Sequence, residues 1–197
     1  MKNILLTVSY DGTNFCGWQR QDNTRTVQGE IEKVLEKIHK KQTDAQGSGR
    51  TDSGVHAVGQ TVTFISPIDN MDAKNYIPAM NSLLPQDIRI VDSKEVPMDF
   101  SARFNATSRT YRYFINCAEN PMAHQMPYSW AILYRPDINR LNKMASCLYG
   151  ELDCTTFAYA SDPSPSKYRF IEKAIFYPDG DYLVFEITAN AFLWKMV

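Results

Sequence analysis

The order in which strand-like and helix-like segments follow one another constrains this chain more than any other feature. Residues 4–10 form a β-rich segment, and apolar residues then recur at helical spacing over residues 27–38, directly after Thr26. Threonine is a preferred residue at a helix N-cap. Alternation around Val62 and an apolar segment at residues 88–96 predict two more strands. The first part of the chain is therefore predicted to run strand, helix, strands.

The second part of the chain follows a similar order with different residues. Residues 109–116 alternate tyrosines with other side chains, which predicts a half-buried strand with polar aromatics on one face. Residues 137–149 carry one apolar stripe between Asp137 as N-cap and Gly150 as C-cap, which predicts a helix. Two strands within residues 169–188 are joined by a Pro-Asp-Gly turn, which predicts a hairpin.

These two parts predict a chain of two similar α+β halves, residues 1–105 and residues 106–197. The second half ends with apolar residues at helical spacing, which predict the start of a new helix: Phe192, Leu193, Met196 and Val197. Neither a C-cap nor a polar tail follows them. We therefore expect this half to be truncated and the natural protein to continue beyond Val197.

Composition leaves RNA binding to local surfaces. The chain has 197 residues and a net charge of -1, so it lacks the overall excess of positive charge that is typical of nucleic-acid-binding proteins. Its four cysteines have no paired spacing and stand beside no signal peptide or apolar span, so we expect a cytoplasmic protein with reduced thiols and no membrane segment. Arginines interleaved with aromatics near Arg103 and Arg109 suit RNA contact, whereas the lysines of residues 33–41 fit a solvated helix face.

A glycine-rich segment at residues 47–60 contains two opposite charges separated by one residue, Arg50 and Asp52. Glycines let the backbone take tight turns, so the segment is predicted to be a loop that presents both side chains. No Gly-Lys-Ser or Gly-Lys-Thr follows at the required spacing, which argues against a phosphate-binding P-loop. On composition alone, an aspartate in such a loop is more often a turn former than a catalytic group.

Several short motifs, spread over nearly the whole chain, carry a family resemblance in family order. The longest is Gly49-Arg50-Thr51-Asp52-Ser53-Gly54-Val55-His56-Ala57. The others are Tyr10-Asp11-Gly12, Gly17-Trp18-Gln19-Arg20-Gln21, Thr26-Val27-Gln28, Leu84-Pro85-Gln86-Asp87-Ile88, Phe100-Ser101-Ala102-Arg103-Phe104, Arg109-Thr110-Tyr111-Arg112-Tyr113 and Asn190-Ala191-Phe192-Leu193. Together they resemble the motifs of the TruA-type tRNA pseudouridine synthases.

The resemblance implies the pseudouridine synthase fold: two similar α+β halves that share a mainly antiparallel central sheet, with an active-site cleft between them. It also implies that Asp52 is the catalytic carboxylate of an isomerisation of uridine to pseudouridine that needs no cofactor and no metal. An ionised carboxylate suits a nucleophile or a base near C1′ of the ribose. The sequence leaves open whether Asp52 attacks the sugar, attacks the base or removes a ribose proton.

Two further residues receive substrate-binding roles. Arg50 could pair with Asp52 or fill the space left by a displaced base, and the resemblance favours an RNA-side role that helps to hold the flipped nucleotide. Tyr111 matches the tyrosine that packs against the target base and accepts or relays the C5 proton. Its neighbour Tyr113 is predicted to be structural. A single histidine without partner ligands fits a hydrogen-bonded structural residue, so His56 is left out of the catalytic set.

The resemblance implies tRNA as the partner, with neighbouring uridines of the anticodon stem-loop as targets, and a homodimer as the binding unit. Base and ribose are the same in every uridine, so selection must come from RNA shape and backbone contacts. The candidate RNA contacts are Arg20, Arg103 and Arg109.

Two other functions stay open at this point. In the family, the motif around Phe192 continues with a basic residue that pairs with the catalytic aspartate, and this sequence ends before it. A catalytically impaired RNA-binding fragment is therefore the alternative. A small-molecule α/β enzyme with Asp52 as base lacks any nucleotide or metal motif. Leu193 or Val197 could form an apolar floor beneath the base or belong to the core.

Overall fold

The computed structural model describes all residues 1–197. The chain divides into two compact units, Met1–Ala106 (unit 1) and Thr107–Val197 (unit 2), each with its own sheet. None of the helices combines the length and the apolar character needed to cross a lipid bilayer.

Unit 1 is a sheet with two helices. Its strands are β1 (Lys2–Tyr10), β2 (Gln46–Gly47), β3 (Ala57–Ser66) and β4 (Ile88–Val96), and its helices are α1 (Val27–His39) and α2 (Tyr76–Asn81). The strands lie in the order β2-β3-β1-β4, and every neighbouring pair is antiparallel. Short 3₁₀ turns occur at Gly12–Asn14 and Ala73–Asn75.

The first helix confirms the prediction from sequence periodicity. The hydroxyl oxygen of Thr26 accepts a hydrogen bond from the backbone N–H of Gly29 at 3.3 Å, as an N-cap residue should. Lys40 ends the helix in the left-handed conformation, with a φ of 55°. The apolar stripe of α1, including Ile31 and Leu35, is buried in one core with the side chains of β1. This core supports the sheet from which the candidate site extends.

A buried polar network closes the far end of this core. The two ring nitrogens of His39 lie 2.8 Å from the hydroxyl oxygens of Thr43 and Tyr76, and the Tyr76 hydroxyl lies 2.5 Å from that of Ser66. Burial lowers the pKa of His39 and raises the pKa of Tyr76, so it favours the neutral form of both groups.

Unit 2 is a five-stranded sheet with one helix. Its strands are β5 (Arg109–Asn116), β6 (Trp130–Ala131), β7 (Gly150–Asp153), β8 (Tyr168–Asp179) and β9 (Tyr182–Ala189), and its helix is α3 (Ile138–Ala145). The strands lie in the order β6-β5-β9-β8-β7, and only the β5–β6 pair is parallel. The predicted α+β class with mainly antiparallel strands is confirmed, and the hydrogen-bonded ladders form one sheet in each unit.

Helix α3 confirms the predicted start but ends earlier than the apolar stripe indicated. The Asp137 carboxylate accepts from the backbone N–H groups of Asn139 and Arg140, which makes it the N-cap. The C-cap is Ser146, because the helix tightens there into a 3₁₀ turn at Ser146–Leu148. The prediction of Gly150 as C-cap is wrong: this glycine begins β7, with a φ of 99°.

The helical stripe predicted at residues 192–197 is wrong, since these residues form an irregular turn. The backbone N–H of Trp194 donates to the Asp162 carboxylate at 2.7 Å instead of to a helical carbonyl. Lys195 takes a left-handed φ of 57°, which interrupts any helix. The apolar spacing reflects the burial of Leu193 in the core of unit 2, and this tertiary contact cannot be seen from local periodicity.

Candidate active site

Asp52 lies in the loop between β2 and β3, as predicted, and its side chain is exposed. Arg50, two residues earlier, is also exposed. No ion pair or hydrogen bond joins the two side chains, so the Arg50 guanidinium extends into solvent without pairing with Asp52. The exposed carboxylate is presented by a loop whose backbone is fixed on both sides.

Thr51 anchors the loop on the side where it approaches Asp52. Its carbonyl oxygen accepts a hydrogen bond from the backbone N–H of Trp18 at 3.0 Å, and its hydroxyl lies 2.8 Å from the Tyr10 hydroxyl. Gly17 packs directly against this contact with a φ of 86°, and a Cβ there would lie 2.7 Å from the Thr51 carbonyl oxygen. Only glycine satisfies both conditions, which gives the Gly17-Trp18 motif a structural cause.

Val55 and His56 anchor the loop after Asp52. The Val55 backbone N–H donates to the carbonyl oxygen of Asp52 at 3.2 Å, which closes a tight turn. The Gly12 backbone N–H donates to Nδ1 of His56 at 3.1 Å. Gly12 also lies so close that a Cβ there would be 2.0 Å from the Val55 carbonyl oxygen. Backbone therefore packs on backbone at this anchor.

The middle of the loop is tied to one further point, the carbonyl oxygen of Phe15. The Ser53 hydroxyl donates to it at 3.1 Å and the Gly54 backbone N–H at 3.4 Å. The segment of residues 11–18 thus acts as a template along the whole loop, because it contacts residues before, at and after the turn that carries Asp52.

An ion pair holds this template segment in place. Arg25 makes a bidentate pair with Asp87, with N–O distances of 2.7 and 2.9 Å, and its guanidinium lies 4.1 Å from the centre of the Phe15 ring. The hydrogen bond to Asp87 raises the pKa of Arg25. The backbone N–H of Asp11 donates to the Asp87 carbonyl oxygen at 3.0 Å. Sequence reasoning missed this pair, and the only signal was the charge of Asp87 inside one motif and the opposite charge of Arg25 directly before another.

Arg20, a predicted RNA contact, is partly committed within unit 1. Its guanidinium pairs with Glu32 at 2.9 Å, and the Glu32 side chain is only 9% exposed. The second Glu32 oxygen accepts from the backbone N–H of Ala45 at 3.1 Å and from Gln28 at 2.9 Å. The Arg20 side chain is still half exposed, so its remaining N–H groups are accessible to solvent.

Tyr111, the predicted base-packing residue, lies on β5 in unit 2 and is half-buried. Its ring meets the ring of Phe192 edge-on, with a centroid distance of 4.9 Å. Ile187 is its partner across the β5–β9 ladder, and both side chains belong to the same apolar cluster as Leu193. The tyrosine ring is thus held by packing, in contrast to the backbone contacts that hold Asp52.

Asp162 fixes the segment that packs on Tyr111. Its fully buried carboxylate accepts from the Trp194 N–H at 2.7 Å and pairs with the Lys167 ammonium at 2.8 Å. The hydrogen bond from Lys167 and the one from Trp194 hold the pKa of Asp162 well below its usual range. Because Trp194 follows Phe192 by two residues, this carboxylate supports the ring contact to Tyr111. No local pattern in the sequence indicates it.

The opposite face of β5 carries a second charged cluster. Glu186 on β9 accepts from Nε of Arg112 at 2.6 Å and from the Lys173 ammonium at 2.7 Å. The hydrogen bonds from Lys173 and then Arg112 lower the pKa of Glu186 to about 2. Arg112 lies next to Tyr111 in the sequence, but alternation along the strand places it on the other face. The Arg-x-Tyr-Arg-Tyr motif therefore contributes side chains to both faces of the sheet, with Tyr111 on one face and Arg112 on the other.

The other predicted RNA contacts lie in different units. Arg103 in unit 1 is exposed, with its guanidinium 5.3 Å from the centre of the Phe104 ring. Arg109 in unit 2 donates to the carbonyl oxygen of Asn190 at 2.7 Å. Arg20, Arg50 and Asp52 belong to unit 1 with Arg103, whereas Tyr111 belongs to unit 2 with Arg109. No group of three or more His, Cys, Asp or Glu side chains is arranged to hold a metal ion.

Comparison with known proteins identifies the family. A family model described as tRNA pseudouridine synthase matches residues 6–105. The protein named tRNA pseudouridine synthase A of Treponema denticola is 61% identical over 201 residues, covering 100% of this chain and 75% of the relative. The proteins of that name from Treponema pallidum and Borrelia duttonii are 54% and 44% identical, again over 100% of this chain and over 72% and 80% of the relatives.

The chain belongs to the tRNA pseudouridine synthase family. The resemblance seen in the short motifs is confirmed, as is the assignment to this class of tRNA-modifying isomerases. The family match covers the template segment and the loop that carries Asp52, both within residues 6–105.

Proposed function

We propose that this protein converts uridine to pseudouridine in the anticodon stem-loop of tRNA, with the Asp52 carboxylate as the catalytic group. The observation that carries the proposal is the fixed presentation of an exposed carboxylate. Asp52 extends from a loop that the Gly12–Trp18 side of unit 1 holds before, at and after the turn. A structural turn former would need no such rigid support, since aspartate caps turns in mobile loops equally well.

The reaction sets the requirements on this carboxylate. The bond between N1 of uracil and C1′ of the ribose breaks, the base rotates, a bond forms between C5 and C1′, and the proton of C5 is lost while N1 gains one. No atom or electron is exchanged with a second substrate. Positive character develops at C1′ as the first bond loosens, and a nearby carboxylate stabilises it. Asp52 serves this step by adding to the sugar, by adding to the base or by removing a ribose proton.

Arg50 and Tyr111 are proposed to receive the target nucleotide. The base must leave the helical stack before a carboxylate can reach its ribose, which costs a few kcal/mol. The Arg50 guanidinium, exposed and not paired with Asp52, fits the role of filling the vacated space or holding the flipped nucleotide. The Tyr111 ring, fixed by Phe192, offers a flat surface for the base and a hydroxyl for the C5 proton.

Arg20, Arg103 and Arg109 are proposed to contact the RNA backbone, in a homodimer that doubles the basic surface. Each guanidinium already contacts a protein partner: Glu32 for Arg20, the Phe104 ring for Arg103 and the Asn190 carbonyl oxygen for Arg109. These contacts order the side chains before RNA arrives. With a net charge of -1 on the whole chain, binding depends on such local neutralisation of phosphates.

The decisive variant is Asp52→Asn. An amide keeps the size of the side chain but acts neither as nucleophile nor as base, so pseudouridine formation in a tRNA transcript should fall by ~10⁴-fold. Folding and tRNA affinity should stay close to those of the unmodified protein. Asp44→Asn is the matched control, because it makes the same change at another exposed carboxylate of unit 1. Substantial turnover by purified Asp52→Asn would remove this residue from its role.

The same assay separates catalysis from binding alone. A protein that binds tRNA and forms no pseudouridine at any position, with Asp52 intact, would be an RNA-binding member of the family without activity. Mapping pseudouridine along the whole transcript also tests the anticodon stem-loop, because product elsewhere in the tRNA would move the target site.

A further inference from the structure

His56 is tied into the loop of Asp52 in a way that the proposed function does not use. Its Nδ1 atom accepts a hydrogen bond from the backbone N–H of Gly12 at 3.1 Å and lies 3.1 Å from a carboxylate oxygen of Asp11. A backbone N–H can only donate, so the ring nitrogen that faces Gly12 acts as the acceptor. The imidazole is therefore fixed in orientation by the template segment.

The contact lies at the point where the loop of Asp52 rejoins β3. Val55, the residue before His56, donates its N–H to the carbonyl oxygen of Asp52 at 3.2 Å. The Val55 carbonyl oxygen packs against Gly12, where a Cβ would be only 2.0 Å away. Gly12 thus contacts both residues: its N–H donates to His56, and its Cα packs against the carbonyl oxygen of Val55. If His56 releases the Gly12 N–H, the loop that carries Asp52 loses the hydrogen bond that fixes its end at β3.

The first anchor cannot replace the second. The first anchor is Thr51, which is held by the Trp18 N–H and the Tyr10 hydroxyl. Thr51 precedes Asp52, so these two contacts fix only the part of the loop before the carboxylate. The contacts of Ser53 and Gly54 to the Phe15 carbonyl oxygen hold the middle of the loop but not the end at His56. A shift of that end can displace the carboxylate, and displacement of a catalytic group by about 1 Å can cost ~10²-fold in rate. The position of the carboxylate therefore depends on both anchors.

We propose that His56 is a positioning residue for Asp52: its Nδ1 atom accepts the Gly12 N–H and so fixes the end of the loop from which the carboxylate extends. The inference rests on the proposed catalytic role of Asp52. His56 acts through the backbone and transfers no proton to the RNA.

Three substitutions at His56 test this proposal in the full chain. Asn places an amide where Nδ1 was, so His56→Asn keeps an acceptor for the Gly12 N–H. His56→Gln places its amide one methylene farther from the backbone, at the position of Nε2, and His56→Ala has no polar group. Neither variant therefore places an acceptor where Nδ1 was. The single-turnover rate of pseudouridine formation should fall ~10²-fold in His56→Ala and His56→Gln and by less than about 5-fold in His56→Asn.

Affinity and stability are measured on the same proteins. The dissociation constant for tRNA should change by less than about 3-fold in all three, because a misplaced carboxylate lowers the rate and not the binding. His124→Ala is the matched control, since it removes an exposed imidazole in unit 2 and should leave the rate unchanged. If His56→Ala does not fold, the comparison of His56→Asn with His56→Gln carries the test.

Two results would overturn the proposal. Full activity in His56→Ala or His56→Gln would show that the anchor is dispensable, and a folded His56→Asn as slow as His56→Gln would show that the imidazole itself takes part in the reaction. Asp52→Asn, assayed in parallel, separates this inference from the proposed function. An active Asp52→Asn rejects the catalytic role, whereas an inactive Asp52→Asn with active His56 variants rejects only the positioning role.

Discussion

The two units hold their candidate site residues by different physical means. In unit 1, Asp52 stays exposed and its position comes from the backbone, through glycines that let two segments approach within contact distance. In unit 2, Tyr111 is half-buried and its position comes from side chains, through the edge-on ring of Phe192 and the cluster around Leu193. Backbone support tolerates almost no change in side-chain size, whereas packing support can relax around a smaller residue.

Among the variants that test this contrast between the units, the largest effect should come from adding one methyl group to the backbone support. Gly12→Ala would place a Cβ 2.0 Å from the Val55 carbonyl oxygen, so the loop must move. We expect about 1–3 kcal/mol of lost stability and a rate reduced by ~10²-fold. Thermal melting and a single-turnover assay measure both.

Gly59→Ala is the matched control for this change. A Cβ at Gly59 would lie 3.6 Å from the nearest atom of Thr7, which is ordinary contact, so stability and rate should stay unchanged or improve slightly. Equal behaviour of the two alanine variants would mean that the backbone contact at Gly12 is not needed, and the contrast between the units would fail.

Substitution of Tyr111 tests the packing support. Tyr111→Phe keeps the ring against Phe192, so we expect less than about 1 kcal/mol of lost stability and a clear loss of rate if the hydroxyl relays the C5 proton. Tyr111→Ala should cost about 2 kcal/mol, below the value for a fully buried ring, and should lose base packing as well. Urea unfolding and the tRNA assay separate the two variants, and full activity in both would make Tyr111 purely structural.

The units should also differ in how acid weakens them. Burial lowers the pKa of His39 below its unfolded value of about 6.5, so the unfolded chain binds more protons and unit 1 loses stability as pH falls through that value. The pKa of Glu186 is about 2 in the folded chain. Its contribution is present above the unfolded value of about 4.3 and disappears as pH falls toward 2.

Urea unfolding at pH 7.5, 5.5 and 3.5 would resolve these two windows. His39→Gln should reduce the loss between the first two pH values, and Glu186→Gln should reduce the loss between the last two. If both variants reduce the loss of stability in the same pH interval, the two groups do not report on separate units.

The smallest effect should come from the candidate RNA contacts. Arg20→Gln removes one phosphate contact at most, and part of the arginine is already paired with Glu32, so tRNA affinity should fall only about 3-fold. The slope of log affinity against log salt should become shallower by less than about 1. Arg140→Gln, at an exposed arginine of α3, is the control. An unchanged slope would exclude Arg20 from the RNA surface.

The parts of the fold that local sequence determines were predicted well. Helix α1 begins after Thr26 as expected, because its cap and its apolar stripe lie within a few residues of each other. The tail at residues 192–197 was predicted wrongly, because the Asp162 carboxylate, 32 residues away in sequence, accepts the Trp194 N–H and so competes with the helix. Distant partners of this kind leave no periodic pattern in the sequence.

The candidate site shows the same limit. The glycine-rich segment predicted a loop that presents Asp52 and Arg50, and the structure has that loop. What holds it could not be predicted, since the Arg25–Asp87 pair joins residues that are 62 positions apart. The catalytic and RNA-binding roles of the individual residues rest on the family resemblance and stay predictions until the variants are assayed.

The long reach of this support has a consequence for how the protein acquires activity during folding. Asp52 is placed by the segment of residues 11–18, which Asp87, the residue directly before β4, holds in turn. Contacts between residues so far apart in sequence have a large loop-closure entropy cost, so they are expected to form late, after local elements such as α1. We therefore expect a newly synthesised chain to gain its helices before β4 docks, and docking of β4 to complete the loop. With Asp52 in the proposed catalytic role, we expect activity to report the completion of tertiary structure in unit 1 and partly folded chains to be inactive.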